Sequence, residues 1–243
     1  MKNEKKKAYK EKKTKKKALY NYICTSIFGK KKPLMMNAQT KASQDAITPE
    51  KALELLQEGN QRFVAKQTVD RDLNLQVEQT STGQYPFATV LSCIDSRVPA
   101  ELVFDQGIGD IFSVRIAGNF VNQDILGSME FACKLAGTKL ILVLGHTACG
   151  AVKGACDHAE LGNLTGMLEN IAPAVEAIKE PAEASQRTSA NIDFVNAVGA
   201  KNVALTIERI RAESPVLAEM ETAGQIQIIG GMYDLASGKV NLL

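Results

Sequence analysis

Two short segments of this sequence hold side chains that together could bind a metal ion. Cys93-Ile94-Asp95-Ser96-Arg97 offers a thiol, a carboxylate and a guanidinium at two-residue steps, and His146-Thr147-Ala148-Cys149 offers an imidazole and a thiol spaced i, i+3. Two thiolates and one imidazole suit a borderline-soft divalent cation, with zinc as the default. A turn lets His146 and Cys149 reach one ion, and Cys93 completes three ligands if its segment runs alongside. Three protein ligands leave the fourth tetrahedral position to water, which is the catalytic rather than the structural pattern, and zinc draws the pKa of that water down to about 7. Asp95 has two mutually exclusive roles open to it. It can take the fourth position itself, giving a closed zinc site, or it can pair with Arg97, stay ionised and accept a proton from the zinc-bound water.

The elements that must carry these groups are legible from hydrophobic patterning. Residues 88–93 and 111–116 are short apolar runs, Leu140–Leu144 (LILVL) is the clearest buried strand, and 225–230 and 239–243 suggest a further strand and a last edge strand. Cys93 and His146 each follow a strand, and in open α/β sheets ligand sites form beyond the carboxyl ends of strands. Thr48-Pro49-Glu50 predicts a helix start with Thr48 as cap and Pro49 in the first turn. Further helices are expected over 124–135, ended by Gly137, from Ala151 onward, over 164–178 and over roughly 188–211. Residues 70–86 read as polar and turn-rich. Strands alternating with helices predict a single α/β domain with a mostly parallel sheet covered on both faces.

The net charge of +2 averages two unlike parts. Thirteen lysines and two glutamates give residues 1–34 a charge of +11, which leaves −9 for the rest. Residues 1–46 are therefore expected to be a basic, disordered extension and 47–243 the folded domain. The extension reads as a solvated tail, or as sequence upstream of a natural start at Met35 or Met36, in preference to an anchor for anionic lipid or nucleic acid. The acidic domain and the lack of basic-aromatic motifs argue against nucleic-acid binding. No run of about 18 uncharged apolar residues suggests a transmembrane helix. Five cysteines in a long chain read as reduced thiols rather than a disulfide framework, with Cys133 and Cys156 as small core residues. With no convincing signal peptide, this favours the cytoplasm, an exported protein being the alternative if the start is misassigned.

Read together, SCIDSRVPAE at 92–101, RIAGNFV at 115–121 and GHTACGAVKGA at 145–155 resemble the β-class carbonic anhydrases, and the resemblance covers roughly residues 49–243. GGMYDLASGKV at 230–240 is similar to that family's last strand and hairpin. The resemblance implies reversible hydration of carbon dioxide to bicarbonate and a proton, with one Zn²⁺ per subunit on Cys93, His146 and Cys149 and an Asp95–Arg97 dyad. It further implies that Gln84 donates a hydrogen bond to substrate and that Phe112 lines the apolar side of the cleft, at a site completed by a second chain. An N-terminal helical arm around a partner subunit, homodimers, and dimers pairing into tetramers are implied as well. Members switched by pH carry a tryptophan three residues before the first ligand. Here that residue is Val90 and the chain has no Trp, so Arg115, which matches an arginine of their bicarbonate pocket, stands alone and the constitutively open type is expected. His158 reads as a surface residue, so no histidine shuttle is expected and proton export to buffer should limit turnover.

Two other readings share this ligand set. Zinc hydroxide does not itself choose its substrate, so another small heterocumulene such as carbon disulfide could be hydrolysed on the same site. A non-catalytic zinc or bicarbonate-binding protein would be marked by loss of Asp95, Arg97 or a ligand, and none is missing.

Overall fold

A computed structural model describes residues 37–243; Cys24 and the basic stretch 1–34 lie outside the described residues. The sheet has the order β2-β1-β3-β4-β5, with β1 Ala88–Ser92, β2 Ile111–Arg115, β3 Leu140–His146, β4 Gln227–Tyr233 and β5 Val240–Leu242. The first four are parallel and β5 returns antiparallel along β4. Every residue of β1 and β3 is buried, as a strand covered on both faces requires, whereas β2 alternates because it lies at the edge.

Alternation along β3 builds two cores. Leu140, Leu142 and Leu144 face Ala52 and Leu56 of α2 (Pro49–Val64, following the short α1, Lys41–Asp45). Ile141 and Val143 face a second cluster, fed by helices introduced below. Each such fully buried aliphatic side chain contributes about 2 kcal/mol of transfer free energy. Thr48 caps α2 by accepting the Lys51 N–H, with Pro49 in the first turn, as its sequence predicts. Gly59 of α2 packs onto the backbone of Phe104, whose carbonyl oxygen a Cβ would meet at 1.8 Å, so only glycine allows this approach.

Three expectations need correction. The polar stretch 70–86 contains α3 (Leu73–Thr80), whose signal is the cap Asp72, a side chain accepting the Leu75 N–H. Residues 164–178 form two short helices after α4 (Ala100–Val103), α5 (Gln123–Glu130) and α6 (Gly150–Cys156): α7 (Gly162–Leu168) and α8 (Ala172–Ala177), with Pro173 in the first turn of the second. The folded domain also begins before residue 47. Ala38 and Gln44 are buried, and the Gln44 amide donates to the Pro86 and Ala136 carbonyls, tying α1 down.

The expected 124–135 helix is α5 continued by a π-helical turn, Phe131–Leu135, and Gly137 ends it at φ +86°. α9 (Ile192–Glu213) and α10 (Pro215–Thr222) follow. Ile125 and Met129 of α5, Val203 and Ile210 of α9 and Leu217 of α10 make the second core with Leu91, Ile141, Val143 and Ile228. No helix among the described residues is long and apolar enough to cross a membrane.

Candidate metal centre

β1 and β3 are paired neighbours, so Cys93 and His146 leave the carboxyl end of the sheet side by side. Cys93 follows β1 directly, His146 ends β3, and Cys149 stands at the N-cap of α6. Their sulfur and nitrogen atoms all lie within 4.8 Å of one another. All three side chains are buried, above an apolar cluster that includes Phe120, Ile171, Phe194 and Val198.

The donor set fits a metal ion on two observations. His146 Nδ1 lies 3.0 Å from the Thr147 carbonyl, so this nitrogen carries the proton and Nε2 presents a lone pair. Nε2 is buried and has no hydrogen-bond partner among the described residues, which is costly unless something electropositive faces it. The Cys93 and Cys149 sulfurs are 3.9 Å apart, within hydrogen-bonding distance of each other. The hydrogen bond from Cys149 holds the Cys93 thiol down at about 4 against the opposing effect of burial, with His146 and the Gly118 N–H assisting. Cys149 is pushed well above the ordinary thiol range by that same bond and by burial, although the N–H groups of Ala151 and Val152 oppose the shift. A divalent cation between the sulfurs would let both ionise.

Asp95 stands at the mouth of the cluster, its Oδ2 3.9 Å from His146 Nε2. Arg97 grips it with a fork, Nε to Oδ1 at 2.9 Å and Nη2 to Oδ2 at 2.7 Å, and its own backbone N–H also donates to Oδ1. That guanidinium holds the Asp95 carboxyl well below the usual carboxylate range. The carboxylate is thus ionised and turned to Arg97 in this structure.

The loops beneath are fixed by groups from other elements. Gly118, at φ +82°, donates its N–H to Cys93 Sγ, and a Cβ there would meet Ile171 Cδ1 at 2.4 Å. Asn202 of α9 donates to the Gly118 carbonyl at 2.7 Å. Arg115 of β2 donates to the carbonyls of both Cys93 and Asp95.

The family profile described as carbonic anhydrase matches residues 88–240, more than half of the chain. A carbonic anhydrase of Mycolicibacterium smegmatis is 36% identical over 200 residues, covering 80% of this chain and 93% of its own. The solved β-carbonic anhydrase CafA of Aspergillus fumigatus matches with a TM-score of 0.61 at 27% identity, over 69% of this chain and 79% of its own. The chain belongs to the β-carbonic anhydrase family. One of two tetrameric β-carbonic anhydrases of Sordaria macrospora shares the fold, with a TM-score of 0.59 at 22% identity over 70% of this chain and 90% of its own.

Against that family background, the residues expected at the site divide into two groups. Cys93, Asp95, Arg97, His146 and Cys149 come together within one chain. Gln84 and Phe112 do not. Gln84 is exposed on the loop before β1, at the opposite end of the sheet from Cys93. Phe112 pairs in register with Thr89, four residues short of Cys93, or roughly 13 Å along the strand. Phe112 instead meets Phe131 edge-to-face at 6.4 Å and lines an open groove of about 1260 Å³ along β2. Val90 is buried among leucines, where the tryptophan of pH-switched members would stand. Burial pushes the Cys133 and Cys156 thiols up to about 11, which keeps them protonated core groups. His158 is exposed on the turn after α6.

Sequence reasoning did not find Asn202, or Asn196 of α9, whose Oδ1 accepts the Ala148 N–H. Their signal was present, because asparagine is an unfavourable choice in a helix interior unless its amide has work elsewhere.

Proposed function

We propose that the chain catalyses reversible hydration of carbon dioxide to bicarbonate and a proton, with Cys93, His146 and Cys149 holding one Zn²⁺ per subunit. The observation that carries this reading is the buried Cys-His-Cys triangle with the Arg97-held carboxylate of Asp95 at its mouth. Zinc, when bound, is a Lewis acid that brings the pKa of a coordinated water to about 7. Everything else falls to the protein. His146 is oriented by the Thr147 carbonyl so that Nε2 is the nitrogen that would face a bound ion. Asp95, kept ionised by Arg97, accepts a hydrogen bond from the reacting water and orients it towards the carbon of carbon dioxide. Because this carboxyl lies so low, Asp95 acts as a fixed acceptor rather than as the base that carries the proton away.

Gln84 and Phe112 complete the cleft from a second copy of the chain, Gln84 donating to a substrate oxygen and Phe112 giving an apolar wall to an uncharged gas. A homodimer, with dimers pairing into tetramers, accounts for the exposed apolar side chains Leu102, Phe131 and Leu135 beside the unpaired edge of β2. The tetrameric assembly of the Sordaria macrospora enzymes supports the same reading. The site is of the constitutively open type: Arg115 is engaged with two backbone carbonyls and Val90 offers no indole beside it. The proton leaves to buffer, since His158 lies on the exterior.

Elemental analysis of the purified protein combined with stopped-flow carbon dioxide hydration tests this. Stoichiometric zinc, turnover lost on chelation and regained on adding zinc back are expected. Zinc-free protein with undiminished turnover overturns the metal assignment, and a zinc protein that hydrolyses carbon disulfide but leaves carbon dioxide alone overturns the substrate.

A further inference from the structure

The passage from β3 to α6 is short, and both of its ends carry proposed ligands. His146 is the last residue of β3 and Cys149 caps α6, so only Thr147 and Ala148 separate them. Thr147 is pinned on two sides. Its N–H donates to the Tyr233 carbonyl at 2.9 Å, and its Oγ1 accepts the Leu235 N–H at 3.0 Å. Ala148 differs. It sits at φ +53°, in the left-handed region, which an alanine adopts only at a cost, with no polar side chain to bond locally. The loop therefore depends at this one residue on an outside partner, and one is present: the Ala148 N–H donates to Asn196 Oδ1 of α9 at 2.8 Å.

We infer that Asn196 is a positioning residue of the metal centre: by accepting the Ala148 N–H it holds the left-handed backbone that sets the separation between His146 Nε2 and Cys149 Sγ. This rests on the reading of His146 and Cys149 as zinc ligands. Without the acceptor, Ala148 relaxes towards negative φ, and the N-cap carrying Cys149 swings relative to a His146 still fixed by β3 and by the Thr147 carbonyl. Outer partners that orient metal ligands matter to affinity almost as the ligands do.

Zinc affinity of the purified holoenzyme, measured by competition with a chromophoric chelator, reads this directly and without reference to turnover. Asn196→Ala should weaken zinc binding about ten-fold, while Asn196→Asp, which keeps the acceptor oxygen, should stay within about two-fold of the parent. Adding Ala148→Gly to Asn196→Ala should recover most of the loss, because glycine adopts φ near +53° without penalty. A merely structural role for Asn196 would not be repaired by a glycine in a different element. Unchanged zinc affinity in Asn196→Ala, an Asn196→Asp protein as weak as the alanine variant, or failure of the glycine to rescue would each overturn the inference. A parent protein that binds no zinc would instead overturn the reading beneath it.

Discussion

Arg115 donates its Nε–H to the carbonyl of Cys93 at 2.9 Å, and its Nη2 reaches the Asp95 carbonyl at 2.6 Å. One guanidinium from β2 thus spans the backbone of both the first proposed ligand and the carboxylate proposed to orient the water. A lysine keeps the charge but lacks the rigid fork that bridges two acceptors. Arg115→Lys should lower kcat/KM by about ten- to a hundred-fold, the cost of a small misplacement in a preorganised site, with zinc content unchanged by elemental analysis. Parent-like kinetics would show that the 93–97 loop holds its shape without the clamp.

Asp95→Asn removes the negative charge and turns one acceptor oxygen into an amide donor while keeping the size of the side chain. Zinc content should persist, and carbon dioxide hydration should fall about 10²- to 10⁴-fold. Stopped-flow assays on protein of verified metal content decide it, and a variant as fast as the parent removes Asp95 from the mechanism.

Acid stability should trace to Asp105, far from the chemistry. This residue is buried, which raises its carboxyl pKa, but Arg62, Arg71 and the Val69 N–H more than offset that and the net shift is downward. A carboxyl depressed on folding contributes stability above its unfolded pKa of about 4 and loses that contribution as pH falls through the lower folded value. Asp105→Asn should therefore cost on the order of 3 kcal/mol at neutral pH by leaving two guanidiniums unpaired, and should flatten the acid limb of a urea-unfolding series. An acid limb as steep as the parent's would assign it to other carboxylates.

Phe131 stands on the π-helical turn, exposed and edge-on to Phe112. Phe131→Glu should dissociate the proposed assembly to monomers, read by light scattering behind size exclusion, and activity should fall with it if, as proposed, Gln84 and Phe112 are supplied across the contact. Fully active monomers would end the two-chain description of the cleft.

What the sequence made legible follows from how strongly each signal is enforced. Leu140–Leu144 can be little other than a strand buried on both faces, and the pairing of β1 with β3 then brings Cys93 beside His146. The Thr48-Pro49 start was equally readable, because capping is a local matter. Helix α3 was hidden by its composition: the buried face comes down to Gln76, which no hydropathy pattern marks as interior. Gln44 misled in the same way, with an apolar-poor segment held down by two amide hydrogen bonds. An asparagine inside a helix marks Asn196 as unusual, but which backbone it or Arg115 holds exists only once the chain has folded.

The two borders of the sheet are unequal. On one side β5, three residues long and antiparallel, ends the array with a short hairpin return. On the other, β2 has no neighbouring strand among the described residues. A molecule with one receptive margin and one blunted margin can join a second molecule margin to margin, and the joined pair then has no receptive strand left. Growth by strand addition would then stop at two, so an edge that could bring two subunits together would not also lead to a polymer.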